Sequence, residues 1–171
     1  MTRRSPPDAS SERSQENAHD EAARQVLRQF RQVFNAVKTH FQQVERTVGL
    51  GGAQVWALSV VQQSPGIGIG ALAAEMNIHQ STASNLVKAL VERGLVTMTR
   101  DPADRRVARL KLLASGTRVL RRTPGPYAGV LPEALAALDA KTLKRIQVDL
   151  AKLIEVLKVD DGSAGIPLAE L

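Results

Sequence analysis

Between Asp20 and Val48 the apolar residues Val26, Leu27, Phe30, Val33, Phe34, Val37, Phe41, Val44 and Val48 recur at intervals of three and four. Neither proline nor glycine interrupts them before Gly49, so the pattern predicts one long helix with a wide apolar face. A helix of nearly thirty residues outruns what a small core can cover, and its face is expected to meet another chain as well. The residues ahead of it, 1–18, are rich in Ser, Pro, Asp, Glu and Arg and hold too few apolar side chains to offset the entropy of ordering. A disordered tail is expected there.

Downstream the period shortens and breaks more often. After the glycines at 49, 51 and 52, "AQVWALSVVQQ" predicts a short, strongly apolar, buried helix to about Gln63, ended by Ser64-Pro65-Gly66. A helix from about Gly70 to Met76, a turn at Asn77-Ile78-His79 and a helix from about Gln80 to Arg93, stopped by Gly94, form a helix-turn-helix pattern. The β-leaning runs "LVTMTR" and "VARLKLL" flank residues 101–106 and predict a hairpin. With Ala108, Leu110 and Leu112 turned inward, Val107, Arg109 and Lys111 form a basic outer edge. A helix begins near Ser115, is broken by "TPGPYAG", and gives way to helical "VLPEALAAL". Asp139 is placed to cap a last helix to about Val159, on which Leu143, Ile146, Leu150, Leu153 and Leu157 repeat at threes and fours. The ending "DDGSAGIPLAEL" is expected to be loose.

The fold class is therefore mainly α with a small β-hairpin wing. The expected organisation is a tail at 1–18, a helical dimerisation region from 19–50 and 115–160, a winged helix-turn-helix at 51–114, and a loose end at 161–171.

Charge sharpens this picture. The 171 residues carry a net charge of +6, and residues 70–123 alone hold ten basic residues against four acidic ones, while the remainder balances at thirteen each. A basic middle between neutral flanks suits either a polyanionic partner or a solvated basic face. The absence of cysteine excludes disulfides, a thiolate nucleophile and cysteine metal sites. No apolar run approaches the roughly 20 residues of a membrane span, and the polar amino terminus lacks a hydrophobic signal core, so a soluble cytoplasmic protein is expected.

On the helix from Gln80, an inner stripe of Ala83, Leu86 and Leu90 turns Gln80, Ser81, Thr82, Ser84, Asn85 and Lys88 outward. Short amides and hydroxyls near the amino end of such a helix can reach base edges in the major groove, and a lysine can reach phosphate. Gln80 and Asn85 are the best base readers by type. Beside such a helix, a hairpin with a basic tip can grip phosphates or enter the minor groove. Asp104 then fixes the loop's direction while Arg105 and Arg106 carry charge outward.

From about Phe30 to Leu157 the chain resembles the MarR family of winged-helix bacterial transcription regulators. The resemblance rests on "ALAAEMNIHQSTASNLVKALVERGLVTMTRDPADRRVARLKLLASG", with its recognition helix, "RGLV", an aspartate-bearing "DRR" wing and an "L-x-L" strand before a Ser-Gly helix start. It implies homodimers joined through the first and last helices, double-stranded DNA as partner, pseudo-palindromic operators, and repression relieved by small ligands, often phenolic or aromatic acids. It places the recognition helix on Gln80 to Arg93, the wing aspartate on Asp104, the minor-groove arginine on Arg106 and a second basic tip position on Arg105. His79 stands where the family often has a capping residue, and "TPGPYAGV" breaks what is often a longer helix. Without cysteine, thiol oxidation is excluded as the input, and a small aromatic or phenolic acid effector is expected instead.

Such pockets lie between the dimerisation helices and the winged domain, where His40, Gln54 and Trp56 are candidate lining residues. Read from the residues alone, Trp56 as a core tryptophan and His40 as a hydrogen-bonded interface histidine are the stronger readings. No cofactor, metal site or enzyme activity is expected: His19, His40 and His79 lie in three separate elements, and "GIGIGAL" lacks the spacing of a dinucleotide loop. The rival reading is a winged-helix protein-interaction module without sequence-specific DNA binding.

Overall fold

The computed structural model describes residues 9–100, 108–158 and 165–170. Two compact units divide the chain, Met1–Ala36 and Val37–Leu171. Helix α1 (Ala9–Val48) runs through the boundary.

Within the first unit, α1 starts at Ala9, eleven residues ahead of the start that apolar periodicity predicts and inside the expected tail. The physical reason is propagation. Residues 9–19 contain Ala, Glu, Arg and Gln but no Pro or Gly, and extending an existing helix by such residues needs no buried face. Residues 1–8 lie outside the described residues. Farther along the same unit, the Glu21 carboxylate accepts from Arg28 at 3.1 Å and faces Arg24 at 3.9 Å. Phe30 and Phe34 stack with ring centroids 6.4 Å apart. Val26, Leu27, Val33 and Phe34 nevertheless remain exposed.

The second unit is built around α2 (Gly52–Gln63), which is buried at Ala53, Val55, Ala57, Leu58, Val60 and Val61. Being apolar on all sides, it lies at the centre of the core. Around it pack Val44 of α1, Leu72 of α3 (Ile69–Glu75), Leu86 and Leu90 of α4 (Gln80–Glu92), and Leu120 of α5 (Ala114–Arg122). The sequence-predicted helix-turn-helix is α3, a turn with Asn77 at φ 52°, and α4.

Strands β1 (Val96–Arg100) and β2 (Ala108–Leu112) pair antiparallel, from Val96 opposite Leu112 to Arg100 opposite Ala108. Val96 and Leu110 are buried, whereas Arg109 and Lys111 are exposed, as the alternation predicts. The other edge of β2 is held as well: Gly66 N–H donates to Leu110 O at 2.8 Å and Leu110 N–H to Ile67 O at 3.0 Å. The hairpin is also tied to α4 at its base. Gly94 takes φ 65°, Leu95 N–H donates to Leu90 O, and Leu113 N–H donates to Leu95 O, both at 2.9 Å. Ser115 Oγ donates to Gly94 O at 2.5 Å, and a Cβ on Gly116 would lie 2.5 Å from Leu95 O.

After α5 the predicted break spans Thr123 to Gly129, followed by α6 (Val130–Ala136) and α7 (Ala140–Leu157). The break is fastened rather than open. Tyr127 Oη donates to Leu120 O at 3.1 Å, and His40 Nε2 donates to Pro126 O at 3.0 Å. Gly129, at φ 94°, abuts Phe41, where a Cβ would stand 2.6 Å from Cζ. On the ring's edge a Cβ at Gly52 would overlap Phe41 Cδ1. Phe41 thus fills a slot that two glycines leave open.

The last segment departs from expectation. Residues 165–170 are ordered against the core, with Pro167 buried, Ala169 packed on the core cluster and a 3₁₀ turn at Leu168–Glu170. Proline limits the entropy lost on docking, and so short a segment has no periodicity from which to read a buried face.

Asp139 caps α7 as predicted: one carboxylate oxygen accepts from Thr142 N–H at 3.0 Å and the other from its hydroxyl at 2.7 Å. Thr142's hydroxyl, then its amide, holds this carboxyl below its ordinary range. The cap's contribution is therefore present at neutral pH and lost as the pH falls through that lowered value. In acid, the protection of the Thr142 amide relative to its intrinsic exchange rate should fall in the natural protein but stay flat in Asp139→Ala, which lacks the titrating group. Gly129→Ala should lower unfolding free energy by about 1 to 3 kcal/mol in a urea titration, through positive φ and the clash with Phe41. His40→Ala should cost about 1 to 2 kcal/mol in the same titration by leaving the Pro126 carbonyl unpaired.

Candidate nucleic-acid interface

Helix α4 turns Ala83, Leu86, Val87 and Leu90 into the core, and this spacing decides what faces out. Gln80, Ser81, Asn85 and Lys88 are exposed; Thr82 and Ser84 are half-buried. Ser84 Oγ donates to Gln80 O at 2.8 Å, so its proton is engaged while its lone pairs can still accept. All six predicted helix residues therefore sit on one short element, with amides and hydroxyls toward its amino end and a cation two turns on. Asp104, Arg105 and Arg106 lie outside the described residues. On β2, Arg109 stands opposite Thr99 and Lys111 opposite Thr97, which puts two cations on the outer face of the hairpin. The hydrogen bonds at Gly94, Leu95 and Ser115 join this face to the end of α4.

His40, Gln54 and Trp56 do not converge. Trp56 lines an apolar cavity of about 190 Å³ together with Val37, Phe41, Met76, Ile78, Leu131 and the end of the chain at Ile166 to Ala169. Gln54, two residues earlier on α2, lines a shallow recess with Thr82 and Asn85 of α4 instead. Two residues along a helix amount to about 200° of rotation, so the two side chains leave α2 on opposite sides. His40 is occupied by the Pro126 carbonyl and stands edge-on to Phe41, with ring centroids 5.3 Å apart. It holds the loop that borders the cavity without lining it. Sequence reasoning missed Phe41 and the carboxy-terminal residues as lining groups: Phe41 reads as one more residue of an apolar stripe, and the glycines that receive it read as breaks. Among the cavity's lining residues only Asn77 has a polar carboxamide side chain, and none is charged.

A sequence profile of the MarR family matches residues 48–107, the stretch from the end of α1 through α4 and β1 to residue 107. The HTH-type transcriptional regulator YsmB of Bacillus subtilis (strain 168), itself uncharacterized, is 29% identical over 90 residues, which are 53% of this chain and 62% of that one. A Thauera aromatica protein provisionally named as a transcriptional regulator for an hcr operon is 31% identical over 86 residues, 48% of this chain and 52% of that one. The chain thus spans between half and two thirds of the length of these curated relatives. Among solved structures, the PcaV transcriptional regulator from Streptomyces coelicolor, crystallised with its natural ligand, is similar at 25% identity. Its TM-score is 0.50 over 78% of this chain and 92% of that chain. Residues 48–107, which hold the helix-turn-helix with its outward polar row on the second helix and the first wing strand, are thus similar to the MarR family.

Proposed function

We propose that the protein is a sequence-specific DNA-binding transcriptional regulator, a cytoplasmic homodimer that represses from a pseudo-palindromic operator until a small ring ligand enters its cavity. The observation that carries this reading is the outward row Gln80, Ser81, Asn85 and Lys88 on α4, joined through Gly94 and Leu95 to a hairpin with Arg109 and Lys111 on its outer face. An α-helix fits the major groove, where Gln80 and Asn85 can pair with adenine edges, while Ser81, Thr82 and Ser84 meet bases or phosphate and Lys88 meets phosphate. In this reading the wing tip at Asp104, Arg105 and Arg106 continues the basic edge into the minor groove. The names of the curated relatives, both transcriptional regulators, support it.

The dimer reading is supported by faces that the single chain leaves uncovered. On α7, Leu150, Leu153, Ile154 and Leu157 are exposed, and none of its residues is buried. On the first unit of α1, Leu27 and Phe34 are exposed too. Apolar stripes of this kind on helices mark interfaces. The ligand reading rests on the cavity, whose volume exceeds the roughly 150 Å³ that accommodates benzene in a dry apolar site. A lining without charge favours a neutral phenolic ring over a carboxylate, which would be buried without a counter-ion. PcaV's complex with its natural ligand is consistent with an occupant in this fold. Among the described residues no helix is long and apolar enough to cross a membrane.

An unbiased selection of bound DNA fragments tests the reading directly. Recovered sites should contain half-sites centred about 10 base pairs apart or a multiple of this, and binding should weaken steeply between about 50 and 200 mM salt. Recovery of random fragments only would favour the protein-interaction alternative. Asn85→Ala should lose discrimination between selected and random DNA, whereas Lys88→Ala should weaken both alike and reduce the salt slope by about 1. Arg106→Ala should cost about 1 to 3 kcal/mol of operator affinity without changing the melting temperature. In sedimentation the natural protein should run at twice the chain mass, and Leu153→Asp at the monomer mass.

A further inference from the structure

The cavity beside Trp56 is closed in part by the end of the chain. Ile166, Pro167, Leu168 and Ala169 line it, although they lie more than thirty residues from any other lining residue in sequence. Pro167 is buried and Ala169 rests on the core cluster, but Ile166 and Leu168 remain 45% and 41% exposed. On the segment's approach side His79 N–H donates to Gly165 O at 3.4 Å, at the long end of the range. So short a segment, docked through Pro167 and Ala169 with Ile166 and Leu168 left exposed, belongs to the less stable parts of a fold, those that open while the core stays closed.

His79 gives that opening a second consequence. It is the residue at which α4 begins, and its side chain makes no capping bond to the helix. Its backbone amide is satisfied by Gly165, and the fit there is close: a Cβ on Gly165 would stand 2.5 Å from His79 Nε2 and 2.9 Å from Cγ. Only glycine allows the chain's end to come so near the first turn of the helix that carries Gln80 and Asn85.

We propose that residues 165–169 form a lid on the cavity, through which a ligand must enter, and a brace for the amino end of α4, so that opening the lid loosens the start of that helix. The cavity and the helix are thereby coupled through one short segment of the same chain. The coupling's effect on DNA rests on the regulator reading above, but the lid itself does not.

Two built-in features make the test clean. The chain has no cysteine, so a His79→Cys/Gly165→Cys pair supplies the protein's only thiols. The 2.9 Å between the Gly165 Cβ position and His79 Cγ matches the roughly 3 Å from a Cβ to the far sulfur of a disulfide. The chain also has a single tryptophan, Trp56, and it lines the cavity. Acrylamide, a small neutral quencher, then reports access. The oxidised double variant should show a Trp56 quenching constant at least twofold below that of the same protein reduced, and Pro167→Asp at least twofold above the natural protein. Amide exchange over residues 79–83 should be at least tenfold faster in Pro167→Asp and unchanged or slower in the oxidised pair. Equal quenching of the oxidised and reduced pair, a comparison within one folded protein, overturns the lid; unaltered exchange at His79 in Pro167→Asp overturns the brace. Failure of the natural protein to bind any selected DNA would sink the regulator reading and leave the quenching result to decide the lid on its own.

Discussion

The placement of one aromatic ring governs the second unit. Phe41 fits only because Gly52, at the start of α2, and Gly129, ahead of α6, present no Cβ to it. Three segments separated by up to ninety residues meet at that ring, and each gains something from the meeting. α1 is fixed against α2. The loop after α5 is brought close enough for His40 to donate to Pro126. The apolar cavity acquires one of its walls. Close packing explains why so small a feature has such reach: a ring with no room to shift transmits the position of one neighbour to the other.

Helix α2 extends this influence toward the candidate interface. It is buried along most of its length, and its half-buried positions Gln54 and Trp56 open onto different places: a recess shared with Thr82 and Asn85, and the cavity. A helix serving as a common wall between a ligand-sized space and a polar outer row is a short mechanical path between them. It consists of rigid backbone rather than a chain of side-chain rearrangements, and the carboxy-terminal segment runs beside it as a second, softer path.

How much of this could be read from the sequence depends on which physical signal each element carries. α3, α4, the hairpin and α7 were legible because periodicity and stop residues agree: Leu86 and Leu90 mark an inner face, Gly94 ends the helix, and Leu110 alternates with Arg109 and Lys111. The outward row on α4 was legible for the same reason, since fixing the buried positions of an amphipathic helix fixes the rest. α2 was legible as a buried helix but not in its facing. The spacing of Gln54 and Trp56 already sets them on opposite sides of a helix, but with apolar residues all round nothing in the pattern says which side meets the cavity. The start of α1 was hidden because disorder was inferred from missing apolar residues, whereas extension of a formed helix needs only residues that tolerate it. Docking of Pro167 and Ala169 was hidden because a six-residue segment has no period, and Gly52 of α2, which Ala169 approaches, is remote in sequence.

The junction at Gly94 and Leu95 has a consequence for how DNA of varied shape could be met. α4 ends there, β1 begins one residue later, and α5 is bonded to the same two carbonyls through Leu113 and Ser115. Helix and hairpin therefore share one fixed origin, like two arms of a caliper set at the factory. On the DNA-binding reading proposed above, a target whose grooves are spaced differently is not accommodated by swinging one arm alone. It must be reached by bending the DNA or by moving the whole lobe, and sequence preference would then extend to base pairs that no side chain touches, through the cost of deforming them.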